Sequence, residues 1–72
     1  MAVLTDQQAV VLDIVRRQAR VGSPVPTHVI KDAAARHSVH YDGVDRALRG
    51  LITLGLIRKP TRGFYLPAED DS

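Results

Sequence analysis

The chain has 72 residues, of which 44% are hydrophobic, and a formal net charge of +2. This length is typical of one small domain, and the hydrophobic content favours a folded domain over a disordered chain. The absence of cysteine excludes disulfides and zinc sites built from thiolates. With no apolar run of the roughly 20 residues that span a bilayer and no signal peptide, we expect a cytoplasmic protein without membrane contact.

The basic residues are concentrated in the body of the chain. Three of the eight acidic residues, Glu69, Asp70 and Asp71, lie in the last four positions. Residues 1–66 therefore carry ten Lys and Arg residues against five acidic residues, a net charge of +5. Such a body suits a polyanionic partner, although an ordinary solvated surface explains the charge equally well. We expect residues 1–66 to form one domain and residues 67–72 a flexible acidic tail.

The first predicted helix begins after Thr5. The Thr5 hydroxyl can cap it, and Gln8 stands at the spacing of a capping box. Gly22 is expected to end the helix after residue 20 or 21. Apolar residues at helical spacing indicate the face that packs in the core. They are Val11, Leu12, Val15 and Ala19.

A second line of apolar residues runs beside this core stripe, through Val10, Ile14 and Val21. One explanation is that Ile14 widens the core face while Val10 lies half exposed. The other explanation is a self-association seam along the first helix, which would make the protein a homodimer.

A connector with two prolines separates the first helix from the second. Pro24 and Pro26 restrict it to extended geometry, so Val25 between them could form a short strand at a sheet edge. Thr27 is predicted to cap a second helix over residues 28–37. The inward residues of this helix are predicted to be Val29, Ile30, Ala33 and Ala34.

The third helix has the clearest apolar periodicity. Val39 is expected to fill the corner before it, and His40 or Asp42 to cap it at the start of residues 41–54. Gly55 ends it, because glycine adopts a left-handed conformation without strain. The apolar residues recur in steps of three and four, which predicts one buried face. They are Val44, Ala47, Leu48, Leu51, Ile52 and Leu54.

Two short strands are predicted to close the chain. Residues 56–59 form the first strand, residues 60–63 the turn and residues 64–66 the second strand, with Pro67 ending the hairpin. The predicted fold class is therefore α+β, mainly helical, with three helices and a C-terminal two-stranded β-hairpin.

This order of elements resembles the winged helix-turn-helix superfamily over residues 4–66. The residues that carry the resemblance are Val44, Arg46, Ala47, Leu48, Leu51 and the segments 54–57 and 63–66. The opening Leu4, Thr5, Val11, Leu12, Asp13 and Val15 look like the start of LexA-type repressor domains, and residues 22–25 like that of HrcA-type repressors. The resemblance implies a small transcriptional regulator, such as a repressor, that binds double-stranded DNA without a cofactor.

In that superfamily the third helix lies in the major groove, and the hairpin, or wing, contacts the backbone or the minor groove. The resemblance assigns groove contacts to His40, Tyr41, Asp42, Asp45, Arg46 and Arg49. The clustered cations of the hairpin, Arg58, Lys59 and Arg62, suggest contacts with phosphates or the minor groove. Further backbone contacts are expected from Thr27, His28 and Lys31, because a helix N-terminus favours anions. Arg46 or Arg49 can pair with guanine O6 and N7, and basic wings suit phosphates or the minor groove. The alternative explanations are a solvated helix face for Arg46 and Arg49, protection of strand edges for the hairpin cations, and, for Tyr41, a ring that covers the end of the second helix.

Asp42 and Asp45 oppose DNA binding, because carboxylates repel phosphates and among bases suit only cytosine N4. Asp42 could cap the helix, and Asp45 could hold Arg46 or Arg49, of which only Arg49 at i+4 faces it. The two aspartates and the acidic tail also favour an alternative function. It is a winged-helix module that binds another protein, such as an adaptor or a phage-type inhibitor. RNA binding is a third possibility.

The sequence contains no recognisable catalytic motif. His28, His37 and His40 are not accompanied by cysteine or by a well-placed carboxylate, so we expect no metal site. No nucleophile–base set, phosphate-binding loop or dinucleotide motif is present. We therefore expect a protein that is not an enzyme and takes no small-molecule substrate.

Overall fold

The computed structural model describes residues 4–19 and 23–68. These residues form three helices and three strands, and the predicted class, α+β and mainly helical, is confirmed. The elements are α1 (Asp6–Gln18), β1 (Val25–Pro26), α2 (Thr27–Ala35), α3 (Tyr41–Thr53), β2 (Ile57–Thr61) and β3 (Phe64–Pro67). The predicted helix end at Gly22 and the acidic residues of the tail lie outside the described residues.

The start of α1 has the predicted capping box. The Gln8 amide donates to Thr5 Oγ1 at 3.1 Å, and the Thr5 amide donates to Gln8 Oε1 at 3.0 Å. The helix ends at Gln18, earlier than expected, and the amide of its C-cap residue Ala19 donates to the Val15 carbonyl. The predicted core stripe is buried in full.

Ile14 belongs to the core of the monomer. It is 5% exposed, while Val10 is half-buried and packs against the buried cluster. A dimer seam that includes Ile14 is therefore not available on the surface of this domain, and the seam's third residue, Val21, lies outside the described residues. The first of the two explanations, a widened core face, agrees with this burial.

The turn between α2 and α3 depends on one residue in a left-handed conformation. Ser38 has a φ of +64°. Its amide donates to the Ala35 carbonyl at 3.1 Å, and the Val39 amide donates to the Ala34 carbonyl at 3.0 Å. These two bonds form a Schellman motif, which closes the end of α2 and buries Val39 in the corner as predicted. Because residues 36–38 belong to this turn, α2 ends two residues earlier than expected, at Ala35.

The end of α3 repeats the same arrangement with glycine. Gly55 has a φ of +78°, its amide donates to the Ile52 carbonyl, and the Leu56 amide donates to the Leu51 carbonyl. The predicted stop at Gly55 is therefore confirmed. The prediction that Ile52 and Leu54 lie on the buried face is wrong, because they are 37% and 44% exposed.

The three strands form one antiparallel sheet in the order β1–β3–β2. The short strand expected at Val25 is present, with Val25 opposite Tyr65. β2 continues to Thr61, so the turn consists of residues 62–63 alone. The register of β2 against β3 is irregular between Arg58 and Thr61. This stretch contains Pro60, which has no N–H to donate to a ladder.

The hairpin ends at Pro67 as predicted, although Pro67 belongs to β3, where it lies opposite Ile57, so the strand is one residue longer than expected. The prediction for Thr27 is wrong. Thr27 does not cap α2, because the N-cap residue is Pro26, which has no side-chain acceptor. Thr27 is instead the first helical residue, and both its amide and its hydroxyl donate to the Gly63 carbonyl.

The core lies between the three helices and one face of the sheet. Every helix contributes to it, as do β1 and β2. The largest side chains that are fully buried are Ile30, Leu48, Leu51, Ile57, Val11, Val15, Val25 and Val44. None of the described helices combines the length and the apolar character needed to cross a membrane.

Candidate nucleic-acid interface

The outward face of α3 carries the residues predicted to contact bases. The opposite face is buried through Gly43, Val44, Ala47, Leu48 and Leu51. Helical geometry then turns Asp42, Asp45, Arg46 and Arg49 to solvent, where all four are exposed. Within the described part of the chain, neither Arg46 nor Arg49 forms an ion pair, so both guanidinium groups can donate to a ligand.

Asp45 is paired with a cation from the neighbouring helix. Lys31 Nζ lies 3.6 Å from Asp45 Oδ1, and it also lies 5.8 Å from the centroid of the Tyr41 ring. Asp45 therefore pairs with Lys31 and not with Arg46 or Arg49, the two partners that the sequence suggested. Both side chains are partly exposed, and such pairs contribute only about 0–1 kcal/mol of stability. Their contact links α2 to α3 and compensates the charge of Asp45.

His40, rather than Asp42, caps α3. The Asp42 amide donates to His40 Nδ1 at 3.3 Å, and Asp42 Oδ2 lies 3.7 Å from the same nitrogen. The rings of His40 and Tyr41 lie 4.2 Å apart, and Tyr41 is 57% exposed. Three polar side chains thus stand in contact at the start of α3, open to solvent.

The hairpin carries three of the predicted cations. Arg58 and Lys59 lie on β2 and Arg62 lies in the turn, and all three are exposed. None of them is paired with a carboxylate of residues 4–19 or 23–68. The turn is shaped by Gly63, whose φ is +83°. The hairpin is therefore a positively charged surface without internal compensation.

The tip of the hairpin is bound to the start of α2. The Gly63 carbonyl accepts the Thr27 amide at 2.9 Å and the Thr27 hydroxyl at 3.0 Å. This brings the backbone of Arg62, the residue before Gly63, beside the first turn of α2, where His28 is exposed. The Thr27 hydroxyl, predicted as a phosphate contact, donates its hydrogen within the protein.

One side of α2 connects the hairpin to α3. Thr27 and Lys31 are one helical turn apart, so they lie on the same side of the helix. Thr27 binds the hairpin tip, and Lys31 contacts Asp45 and Tyr41 on α3. Sequence reasoning found all of these residues but neither of the two contacts, because the partners are far apart in the chain and carry no shared motif.

The remaining surface offers a groove but no metal site among the described residues. A shallow groove between α1 and α2 is lined by Gln18, Val29, Asp32, Ala33 and Arg36. In the part of the chain that the structure describes, no group of three or more His, Cys, Asp or Glu residues could hold a metal ion. The exposed cations of α3 and the hairpin, joined through α2, remain the best candidate for a functional surface.

Comparison with known proteins does not assign this surface. No protein-family model matches the chain, and no curated protein or solved structure is significantly similar to it. The function must therefore be inferred from the geometry and charge of the described residues.

Proposed function

We propose that this protein is a winged helix-turn-helix protein that binds double-stranded DNA and acts as a small transcriptional regulator. In this proposal α3 lies in the major groove and the β2–β3 hairpin is the wing, on the backbone or in the minor groove. The observation that carries it is a set of exposed cations on these two elements that form no ion pair with the described residues. They are Arg46, Arg49, Arg58, Lys59 and Arg62.

One contact of α3 reduces the objection raised by Asp45, because Lys31 compensates its charge from α2. The His40 nitrogen beside Asp42 is the hydrogen-bond acceptor of the cap and does not compensate that carboxylate. Within the described residues, Arg46 and Arg49 form no ion pair. Each could donate two hydrogen bonds to guanine O6 and N7, a contact that contributes about 1–3 kcal/mol of discrimination against other bases.

The wing supports the proposal through its charge and its attachment. Arg58, Lys59 and Arg62 are suited to phosphates, which fix the register and orientation of a protein on a duplex. Each phosphate that such a cation neutralises releases condensed counterions, so binding weakens as salt rises. Because the wing tip is bound to the start of α2, these cations have a defined position relative to the helices.

The proposal is tested by titrating the protein into labelled duplex DNA at several salt concentrations. Arg62→Ala should weaken binding to every duplex and reduce the slope of log affinity against log salt by about one unit. Arg36→Ala is the matched control, because Arg36 is an exposed arginine on the side of α2 away from Thr27 and Lys31. No duplex binding at about 50 mM salt would rule the proposal out.

A second candidate function is a winged-helix module that binds another protein. Ile52 and Leu54 are exposed at the end of α3, and exposed apolar residues on the same helix as the exposed Asp42 and Asp45 would suit a protein partner. Capture of a stoichiometric protein partner, together with no shift of duplex DNA at low salt, would favour this function. Selection from a random duplex library would favour DNA reading if it enriched a motif.

A further inference from the structure

A single carbonyl joins the hairpin turn to the start of α2. The Gly63 oxygen accepts hydrogen bonds from the Thr27 amide at 2.9 Å and from the Thr27 hydroxyl at 3.0 Å, across 36 residues of sequence. The hydroxyl bond is part-buried, so water competes with it less than with a surface bond.

The short strand β1 explains why Thr27 holds this position. β1 has only two residues, and Pro26, opposite Phe64, lacks an N–H. Continuing the same antiparallel register sets Thr27 opposite Gly63, where its amide supplies the next bond of the ladder. The hydroxyl adds a second donor to the same acceptor. The hairpin tip is therefore held against the start of α2 by Thr27 more than by the strand pairing of β1.

Gly63 makes the acceptor available. Its φ of +83° is a conformation that residues with a side chain adopt only under strain, and this conformation fixes the direction of its carbonyl. A Cβ at Gly63 would meet no atom within 4 Å, so the requirement for glycine is conformational rather than steric. Arg62 directly precedes this constrained residue.

From these contacts we infer that Thr27 is a positioning residue for DNA binding. It acts through Gly63 to hold Arg62 beside the start of α2, so that the wing and α2 meet the duplex as one rigid unit. Thr27 does not itself bind a phosphate. This inference rests on the DNA-binding function proposed above.

The test compares variants that remove or keep the hydroxyl. Thr27→Val keeps the amide, the branched shape and nearly the same volume, and it removes only one donor. We expect it to weaken duplex binding about 3- to 10-fold, the range of one net hydrogen bond. Thr27→Ser keeps the donor and should bind within about 2-fold of the wild type. Thr27→Ala, which favours the helix, replaces Thr27→Val if that variant does not fold.

A double-mutant cycle with Arg62→Ala separates positioning from direct contact. If Thr27 acts through Arg62, Thr27→Val should have little further effect once Arg62 is alanine, less than about 2-fold. The same change combined with Arg49→Ala should multiply the two separate losses. Independent losses with Arg62→Ala would mean that Thr27 contacts DNA itself, and the inference would be wrong.

A measurement without DNA distinguishes this inference from the proposed function. Amide hydrogen exchange at residue 27 should be faster in Thr27→Val than in the wild type, because this amide donates to the Gly63 carbonyl and the contact opens more often without the hydroxyl. If the wild-type protein binds no duplex at low salt, the proposed function fails and the inference with it, whereas the exchange result still reports the contact. If exchange is faster but duplex affinity is unchanged, the DNA-binding function stands and the positioning role is refuted.

Discussion

Ser38 and Gly55 occupy equivalent positions in two helix-ending turns, and exchanging their residue types should change stability in opposite directions. Both residues have positive φ, at +64° and +78°, and each lies in the same pair of backbone hydrogen bonds. Only one of them is glycine. Ser38→Gly should therefore stabilise the domain, and Gly55→Ala should destabilise it.

The size of each effect follows from two opposing contributions. A left-handed conformation costs an L-residue roughly 1–2 kcal/mol. The extra freedom of glycine in the unfolded chain offsets about 0.5–1 kcal/mol of that. The net change is about 0.5–1 kcal/mol in each direction. For a domain of this size, 1 kcal/mol shifts the melting temperature by about 4–8 °C, so each variant should shift it by roughly 2–8 °C.

Neither substitution disturbs another contact. The Ser38 hydroxyl forms no hydrogen bond with a described residue, and its side chain is exposed. A Cβ at Gly55 would meet no atom within 4 Å. Thermal and urea denaturation, followed by far-ultraviolet circular dichroism, measure both variants. A Ser38→Gly protein that melts at or below the wild-type temperature would refute the reasoning about backbone strain.

Three further predictions concern the proposed DNA-binding surface, the cap of α3 and the core. Asp45→Asn should release Lys31 and strengthen duplex binding at low salt by a few fold, with a steeper salt dependence. Fluorescence anisotropy across a salt series measures this affinity, and weaker binding by the variant would contradict the compensation of the Asp45 charge by Lys31. His40→Ala should cost about 1 kcal/mol of stability by removing the cap of α3, whereas His40→Asn should keep the cap. Thermal denaturation measures both variants, and equal losses of stability would disprove the capping role. Ile14→Ala should cost about 2–5 kcal/mol in urea denaturation, and a cost below about 1 kcal/mol would mean that Ile14 is not packed in the core.

Features that depend on neighbouring residues were predictable from the sequence. The capping box at Thr5 and the stop at Gly55 are local signals, because all the interacting atoms lie within a few residues. The core face of α1 followed from its spacing for the same reason. The left-handed turn at Ser38 was not predictable, because serine lacks the conformational signature of glycine.

Features that depend on distant partners were missed or misplaced. The bond from Thr27 to Gly63 and the pair between Lys31 and Asp45 require knowledge of how the elements pack. The extension of β2 through Pro60 depends on an irregular register that tolerates a missing donor. The candidate DNA-binding residues were therefore identified by type and position, but their mutual contacts came only from the fold.

The position of β3 in the sheet has a consequence for how the domain is made. β3 lies between β1 and β2, yet it comes after both of them in the described chain. β1 and β2 are not neighbours in the sheet, so neither has a partner strand until residues 64–67 are present. During synthesis, the sheet can form only after almost the whole described chain has left the ribosome. A chain truncated before Phe64 would lose all sheet pairing at once, together with the Gly63 carbonyl's fixed place against Thr27.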